Sequence, residues 1–292
     1  MRITVFTPSY NRADLLKRLY KSLCEQSCSD FEWLIVDDGS NDHTESLVKG
    51  FIMEAKVDIS YVRKDNGGKH TAMNLAFKKA RGSYFVCVDS DDFLLEDAIE
   101  KMIPLCDRLD TCDYCGFVGM CQDMNGKRIG RAPEGELLSN TIEIRDRYGI
   151  QGEPEVYKTA LLRQQAFPVF AGEWFITEAI LFDVVTSQMP LLYTDQIFMF
   201  KEFQAGGLTS NEPRIRVDNP LGTLSYYRQR YKMSPSVRAK IKALINYTRF
   251  SIHAPHASKQ ISLEGLARIY RLCVFLPAYW MYGRDVKKLK EL

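Results

Sequence analysis

The feature that most constrains this chain is an alternation that runs through its first ninety residues. Short apolar runs alternate with stretches of helical periodicity, and every apolar run stops at a polar cluster. Residues 2–6 end at Thr7-Pro8-Ser9, and residues 31–36 end at Asp37-Asp38-Gly39-Ser40. Residues 59–62 lead to Asn66-Gly67-Gly68, and residues 84–88 stop directly at Asp89. Between them, Leu15, Leu16, Leu19 and Leu23 recur at helical spacing after Asn11-Arg12-Ala13-Asp14. A second helix is expected from Asp42 or Thr44 through Phe51, and a third over residues 69–80. Strands alternating with helices of this length predict β-α-β units and a mainly parallel sheet flanked by helices. Ligands of such sheets bind beyond the carboxyl ends of the strands, where all four polar clusters fall.

The alternation stops after a helix expected over residues 95–109. Residues 114–122 with a turn at 123–127 read as part of a hairpin, and residues 132–140 as a loop. A helix is expected over residues 177–187, a late strand over 196–203, and helices from 219 onward. With 292 residues, the length suits one large domain or a domain with an appendage. Charge divides the chain at about residue 214: residues 1–213 hold 23 Lys/Arg against 33 Asp/Glu, and residues 214–292 hold 16 against 4. The expected organisation is a body over 1–213 and a basic helical extension over 214–292.

The eight cysteines form no framework. Cys106, Cys112, Cys115 and Cys121 are the one cluster, and Cys112-x-x-Cys115 raises zinc, but the spacing matches no recognised finger. Reduced thiols packed as small hydrophobes are the better reading. The N-terminus has no apolar signal region, and the longest uncharged apolar stretch, residues 272–283, is too short to span a bilayer. A cytoplasmic protein is expected.

Asp89, Asp91 and Asp92 are the strongest chemical signal. Three carboxylates so close repel one another, and a divalent cation such as Mn2+ or Mg2+ relieves the repulsion while sharing its shell with substrate phosphates. A solvated acidic turn is the bland alternative. On the same rim, Asp37 or Asp38 could accept a hydrogen from a nucleobase, Tyr10 could lie against a base or ribose, and Arg12 could meet phosphate or the acidic turn. Lys69, after two glycines that let a ligand approach the backbone, suits phosphate, and Asn74 lies one turn further along the same helix. Neither GxxxxGK[ST] nor GxGxxG is present.

Thr7-Pro8-Ser9-Tyr10-Asn11-Arg12, Val36-Asp37-Asp38-Gly39-Ser40, Asn66-Gly67-Gly68-Lys69 with Asn74, and Asp89-Ser90-Asp91-Asp92 together resemble the ordered signature of the family 2 glycosyltransferases of GT-A fold. The resemblance implies a Rossmann-like α/β domain and an inverting enzyme with a nucleotide-sugar donor, UDP-linked by family habit. It implies that Thr7, Tyr10 and Asp38 contact the nucleoside, that Lys69 lies near the donor, and that Asp91 and Asp92 approach ribose and metal. The family's catalytic base falls near a helix start. Here Gly172-Glu173-Trp174-Phe175-Ile176-Thr177-Glu178 offers Glu178 as first choice and Glu173 as second. This run and Asn219-Pro220-Leu221-Gly222 resemble bacterial capsule and cell-surface polysaccharide transferases, whose acceptors are glycans or lipid-linked saccharides. A nucleotidyltransferase, or a non-catalytic sugar- or nucleotide-binding protein, remains the alternative.

The basic end has two readings. Arg228, Arg230, Lys232, Arg238, Lys240, Lys242 and Arg249 precede an apolar stretch, Leu272 to Trp280, that is followed by Arg284, Lys287, Lys288 and Lys290. Either these helices pack on the body with a solvated basic face, or they dock peripherally on the inner face of an anionic membrane. No nucleic-acid-binding motif accompanies the charge.

Overall fold

The computed structural model describes residues 1–202 and 212–291. Four parallel strands build the first half of a mixed sheet. Strand β1 (Ile3–Ser9) pairs in parallel with β2 (Phe31–Asp37) on one side and β4 (Tyr84–Cys87) on the other, and β3 (Ile59–Arg63) pairs with β2. The crossovers are α1 (Ala13–Cys24), α2 (Thr44–Glu54) and α3 (Lys69–Lys79). The chain moves outward from β1 to β3 and then returns to the far side of β1. The boundary between β1 and β4 is therefore the topological switch point, where the crossovers diverge and leave a crevice.

The second half is mixed. After β5 (Phe93–Leu94) and α4 (Ala98–Asp110) come β6 (Gly116–Gln122), β7 (Arg128–Ile129), β8 (Leu137–Ser139), β9 (Glu155–Lys158) and β10 (Leu191–Phe200). The sheet order is β3-β2-β1-β4-β9-β6-β10-β5, with β7 on β6 and β8 on β10. Strand β9 runs antiparallel to both β4 and β6, so the mainly parallel pairing expected holds from β3 to β4 and again between β6 and β10. The hairpin at residues 114–127 is present, closed by the Asp123 carboxylate, which accepts the N–H of Asn125 and Lys127. Two expectations are corrected. The loop at 132–140 contains β8, and the late strand begins at Leu191, ahead of a register shift between Tyr193 and Ile197. The polar run Thr194-Asp195-Gln196 in that irregularity hides the strand from a search for alternation. Residue 203 lies outside the described residues.

All seven residues of β2 are buried, including Glu32, whose carboxylate accepts from the Thr4 hydroxyl and from the main chain and guanidinium of Arg81. Trp33, Tyr20 and Phe51 stack beneath α1 and α2. Short helical segments follow β8 and β9: α5 (Thr141–Glu143), a π-turn at Ile144–Tyr148, and α6 (Thr159–Leu162).

The chain divides into two compact units: Met1–Ala166 with Leu181–Gln204, and Phe167–Ile180 with Ala205–Leu292. A single cut near 214 misses the segment 167–180, which α7 (Ala179–Gln188) follows into the first unit. That segment counts with the second unit because the Asn219 amide oxygen accepts the N–H groups of Trp174 and Phe175. The second unit holds α8 (Glu212–Asp218), α9 (Pro220–Met233), α10 (Val237–His253), α11 (Pro255–Gln260), α12 (Leu266–Cys273) and α13 (Phe275–Glu291). Its core is built on Leu224, Leu244, Tyr247 and Phe250. Among the described residues no helix is long and apolar enough to cross a membrane.

Candidate active site

The acidic turn lies at the carboxyl end of β4, at the switch point. One carboxylate oxygen from each of Asp89, Asp91 and Asp92 lies within 4.8 Å of the others. Cations surround them. Lys69 Nζ is 2.6 Å from Asp89 and Arg12 is 3.0 Å from Asp91, while Arg18 donates to the Asp91 carbonyl oxygen at 2.7 Å. Lys201, ion-paired with Glu153, adds a fourth positive charge.

The protonation equilibria follow from this crowding. Burial pushes the Asp92 carboxyl up to about 7, and the charges of Asp89 and Asp91 add to the effect against the opposing pull of Lys201. Burial acts the same way on Asp89, but Lys69, Lys201 and Arg12 outweigh it and hold that carboxyl below the usual range. Desolvation disfavours the Lys201 ammonium, and Glu153, Asp92 and Asp89 overcome it, leaving its pKa raised. A third negative charge is thus poorly accommodated by the side chains alone. Three converging carboxylate oxygens with that deficit fit a hard divalent cation, which takes oxygen ligands and shares them with phosphates.

The other rim residues divide by exposure. Tyr10 is 46% exposed and offers its ring. The adjoining turn is held by Asn11, at φ +53°, whose N–H donates to Ser40 Oγ and whose side-chain oxygen accepts from Asn41 N. Thr7 is enclosed, its hydroxyl accepting from Trp33 Nε1 and donating to the Val88 carbonyl oxygen. Asp37 accepts from Ser40 N and the Tyr61 hydroxyl. Asp38 accepts from Lys64 and from the N–H groups of Gly67 and Gly68, closing the glycine loop onto β2. Gly39 permits this closure, since at φ +84° an added Cβ would stand 2.9 Å from Asn66 N. Asn74 is half-buried on α3, and the neighbouring His70 is enclosed and held toward its neutral form by burial. Arg18, Lys64, Glu153 and Lys201 escaped the sequence reading; none stands in a recognisable motif, and Lys201 joins the turn only through the β10–β5 pairing.

Both base candidates belong to the second unit. Glu173 is half-buried, and its two carboxylate oxygens accept the N–H groups of Leu221 at 2.5 Å and Gly222 at 2.8 Å, in the first turn of α9. Burial raises its pKa, opposed by those two hydrogen bonds. Asn219, completely buried, answers from the other side by accepting from Trp174 and Phe175. The Gly-Glu-x-Phe-Ile-x-Glu run and the Asn-Pro-x-Gly run therefore bind each other. Trp174 is 42% exposed, and Glu178 is half-buried just ahead of α7.

Comparison with known proteins bears on this arrangement. The chain is 31% identical over 147 residues to a putative teichuronic acid biosynthesis glycosyltransferase of Bacillus subtilis, TuaG, covering 48% of this chain and 58% of the relative. It is 26% identical over 171 residues to the poly(ribitol-phosphate) β-N-acetylglucosaminyltransferase TarS of Staphylococcus aureus, covering 56% of this chain and 28% of the relative. The chain thus spans only part of the length of these relatives. In structure it is similar to S. aureus TarS 1–349 in complex with UDP-GlcNAc, with TM-score 0.60 at 18% identity over 99% of this chain and 92% of that one. It is also similar to the mannosyltransferase PcManGT of Pyrobaculum calidifontis in complex with GDP-Man and Mn2+, with TM-score 0.55 at 17% identity over 98% and 84%. At such identities the likeness establishes the shared fold. The model of glycosyl transferase family 2 matches residues 4–169, more than half of the chain and all four strand-end clusters, and the chain belongs to that family.

Proposed function

We propose that this chain is a metal-dependent inverting glycosyltransferase that moves a sugar from a UDP-linked donor to a hydroxyl of a glycan or lipid-linked acceptor in surface-polysaccharide synthesis. The observation that carries the reading is the convergence of Asp89, Asp91 and Asp92 beside Lys69 at the β1–β4 switch point. Asp89, Asp91 and Asp92 would hold Mn2+ or Mg2+, which supplies Lewis-acid stabilisation to a diphosphate leaving group. Lys69 neutralises further charge on that group, and Arg12 sets the position of Asp91. Tyr10 offers its exposed ring to the base, on a platform held in shape by Thr7, Asp37 and Asp38.

On the acceptor side, Glu178 takes the proton from the attacking hydroxyl. The new bond forms at the anomeric carbon as the bond to the diphosphate breaks on the opposite face, so the carbon inverts. Glu173 has the weaker claim, because both its oxygens already hold the start of α9. The names of TuaG and TarS support a surface-polymer acceptor, and the UDP-GlcNAc and GDP-Man complexes of similar folds support a nucleotide-sugar donor. The place of work is the cytoplasmic side of the membrane, where nucleotide sugars are found.

The test is release of nucleoside diphosphate from a panel of nucleotide sugars, with and without Mn2+. Release of UDP that requires the metal is expected. Pyrophosphate formation from a nucleoside triphosphate and a sugar phosphate would instead reveal a nucleotidyltransferase. Binding without turnover across the panel would reveal a binding protein.

A further inference from the structure

Helices α12 and α13 are held to their unit by few residues. Ala267, Val274, Ala278 and Asp285 are buried, and they recur along a narrow stripe. Asp285 anchors it as the shared partner of Arg249 and His253. Much of the remaining surface turns outward and carries large apolar residues. Leu266, Ile269, Leu272, Leu276, Tyr279 and Trp280 are 56–79% exposed. A helix that faced only water would show its polar side there, and an apolar patch this continuous marks an interaction surface.

Charge says what the surface meets. Arg268, Arg284, Lys287 and Lys288 are exposed around it, and the Arg284 guanidinium lies 4.9 Å from the centre of the Trp280 ring. Two carboxylates here are already engaged: Glu264 is paired with Lys232, and Asp285 is buried against Arg249. The surface is therefore apolar and cationic, and neither of these two carboxylates is left to answer its charge. A two-fold contact with a second copy would oppose like charges. A bilayer with anionic headgroups satisfies both features, with aromatic and aliphatic side chains at the acyl boundary and cations among the phosphates.

We propose that the outward face of α12 and α13 docks on an anionic lipid surface, with Leu272, Leu276 and Trp280 entering the headgroup–acyl boundary and Arg284, Lys287 and Lys288 meeting lipid phosphates. The proposal rests on this face alone and stands whether or not the donor reading holds. Flotation of the full chain with vesicles tests it. Recovery with phosphatidylcholine vesicles carrying phosphatidylglycerol should exceed recovery with pure phosphatidylcholine by roughly tenfold and fall with added salt. The double variant Leu276→Asp/Trp280→Asp should abolish flotation, and Lys287→Gln/Lys288→Gln should reduce it only on the anionic vesicles, both with unchanged circular dichroism. Equal recovery in the soluble fraction with both lipids would overturn the proposal. So would concentration-dependent dimerisation that Leu276→Asp/Trp280→Asp abolishes, since the face would then belong to a second copy.

Discussion

At the scale of single residues, the acidic turn and the two glutamates make opposite demands on a substitution. Asp91→Asn or Asp92→Asn removes a charge from the cluster of three carboxylates. We expect diphosphate release to fall by roughly 100- to 1000-fold, comparable to loss of a preorganised electrostatic group, with little change in thermal midpoint. Initial rates in saturating Mn2+ measure it, and parental rates would remove the metal assignment. Glu178→Gln and Glu173→Gln should separate two roles. The first should lower turnover while the donor binds as before. The second weakens two charge-assisted hydrogen bonds to α9, so stability should fall by about 1–3 kcal/mol, read by chemical denaturation. A Glu173→Gln protein of full stability without turnover would reverse the assignment. The acidic turn was legible in the sequence because its three carboxylates are neighbours in the chain. Lys201 was not, since it reaches the turn from over a hundred residues away.

At the scale of elements, the strand-end loops hold one another. Asp38, at the end of β2, fixes the loop that opens α3, and so fixes Lys69. Asp38→Ala leaves Lys64 and two N–H groups without that carboxylate, and we expect a loss of about 2–4 kcal/mol together with weakened donor binding. Calorimetry and donor titration check the two parts; a stable protein with only binding lost would mean that Asp38 touches the nucleoside itself. In the second unit, Asp285→Ala strands the mostly buried Arg249 and should cost about 3–5 kcal/mol, loosening α13 in hydrogen exchange before the rest of the unit. The helices and parallel strands were legible because their periodicity is local. The antiparallel β9 and the short β8 were not, because only their partners make them strands.

At the scale of the whole molecule, the family match ends at residue 169, ahead of both base candidates. Donor and acceptor roles are thus proposed for different compact units. UDP with Mn2+ should raise the thermal midpoint, with a stabilisation that grows as the logarithm of free ligand and reaches about 2.7 kcal/mol at a hundredfold excess over Kd, and chelation of the metal should remove most of the gain. A shift of the same size with UDP and chelator would show that the nucleotide binds without the metal. By itself the sequence determined the β-α-β order, the switch-point rim and the acidic turn, because hydrophobic period and strand-end chemistry are written in consecutive residues. Tertiary structure alone decided that Asp38 closes the glycine loop and that Glu173 clasps Asn219-Pro220-Leu221-Gly222. It also decided that the apolar side chains of α12 and α13 face outward. Each of these depends on which distant backbone or side chain arrives beside a residue, and local pattern carries no record of that.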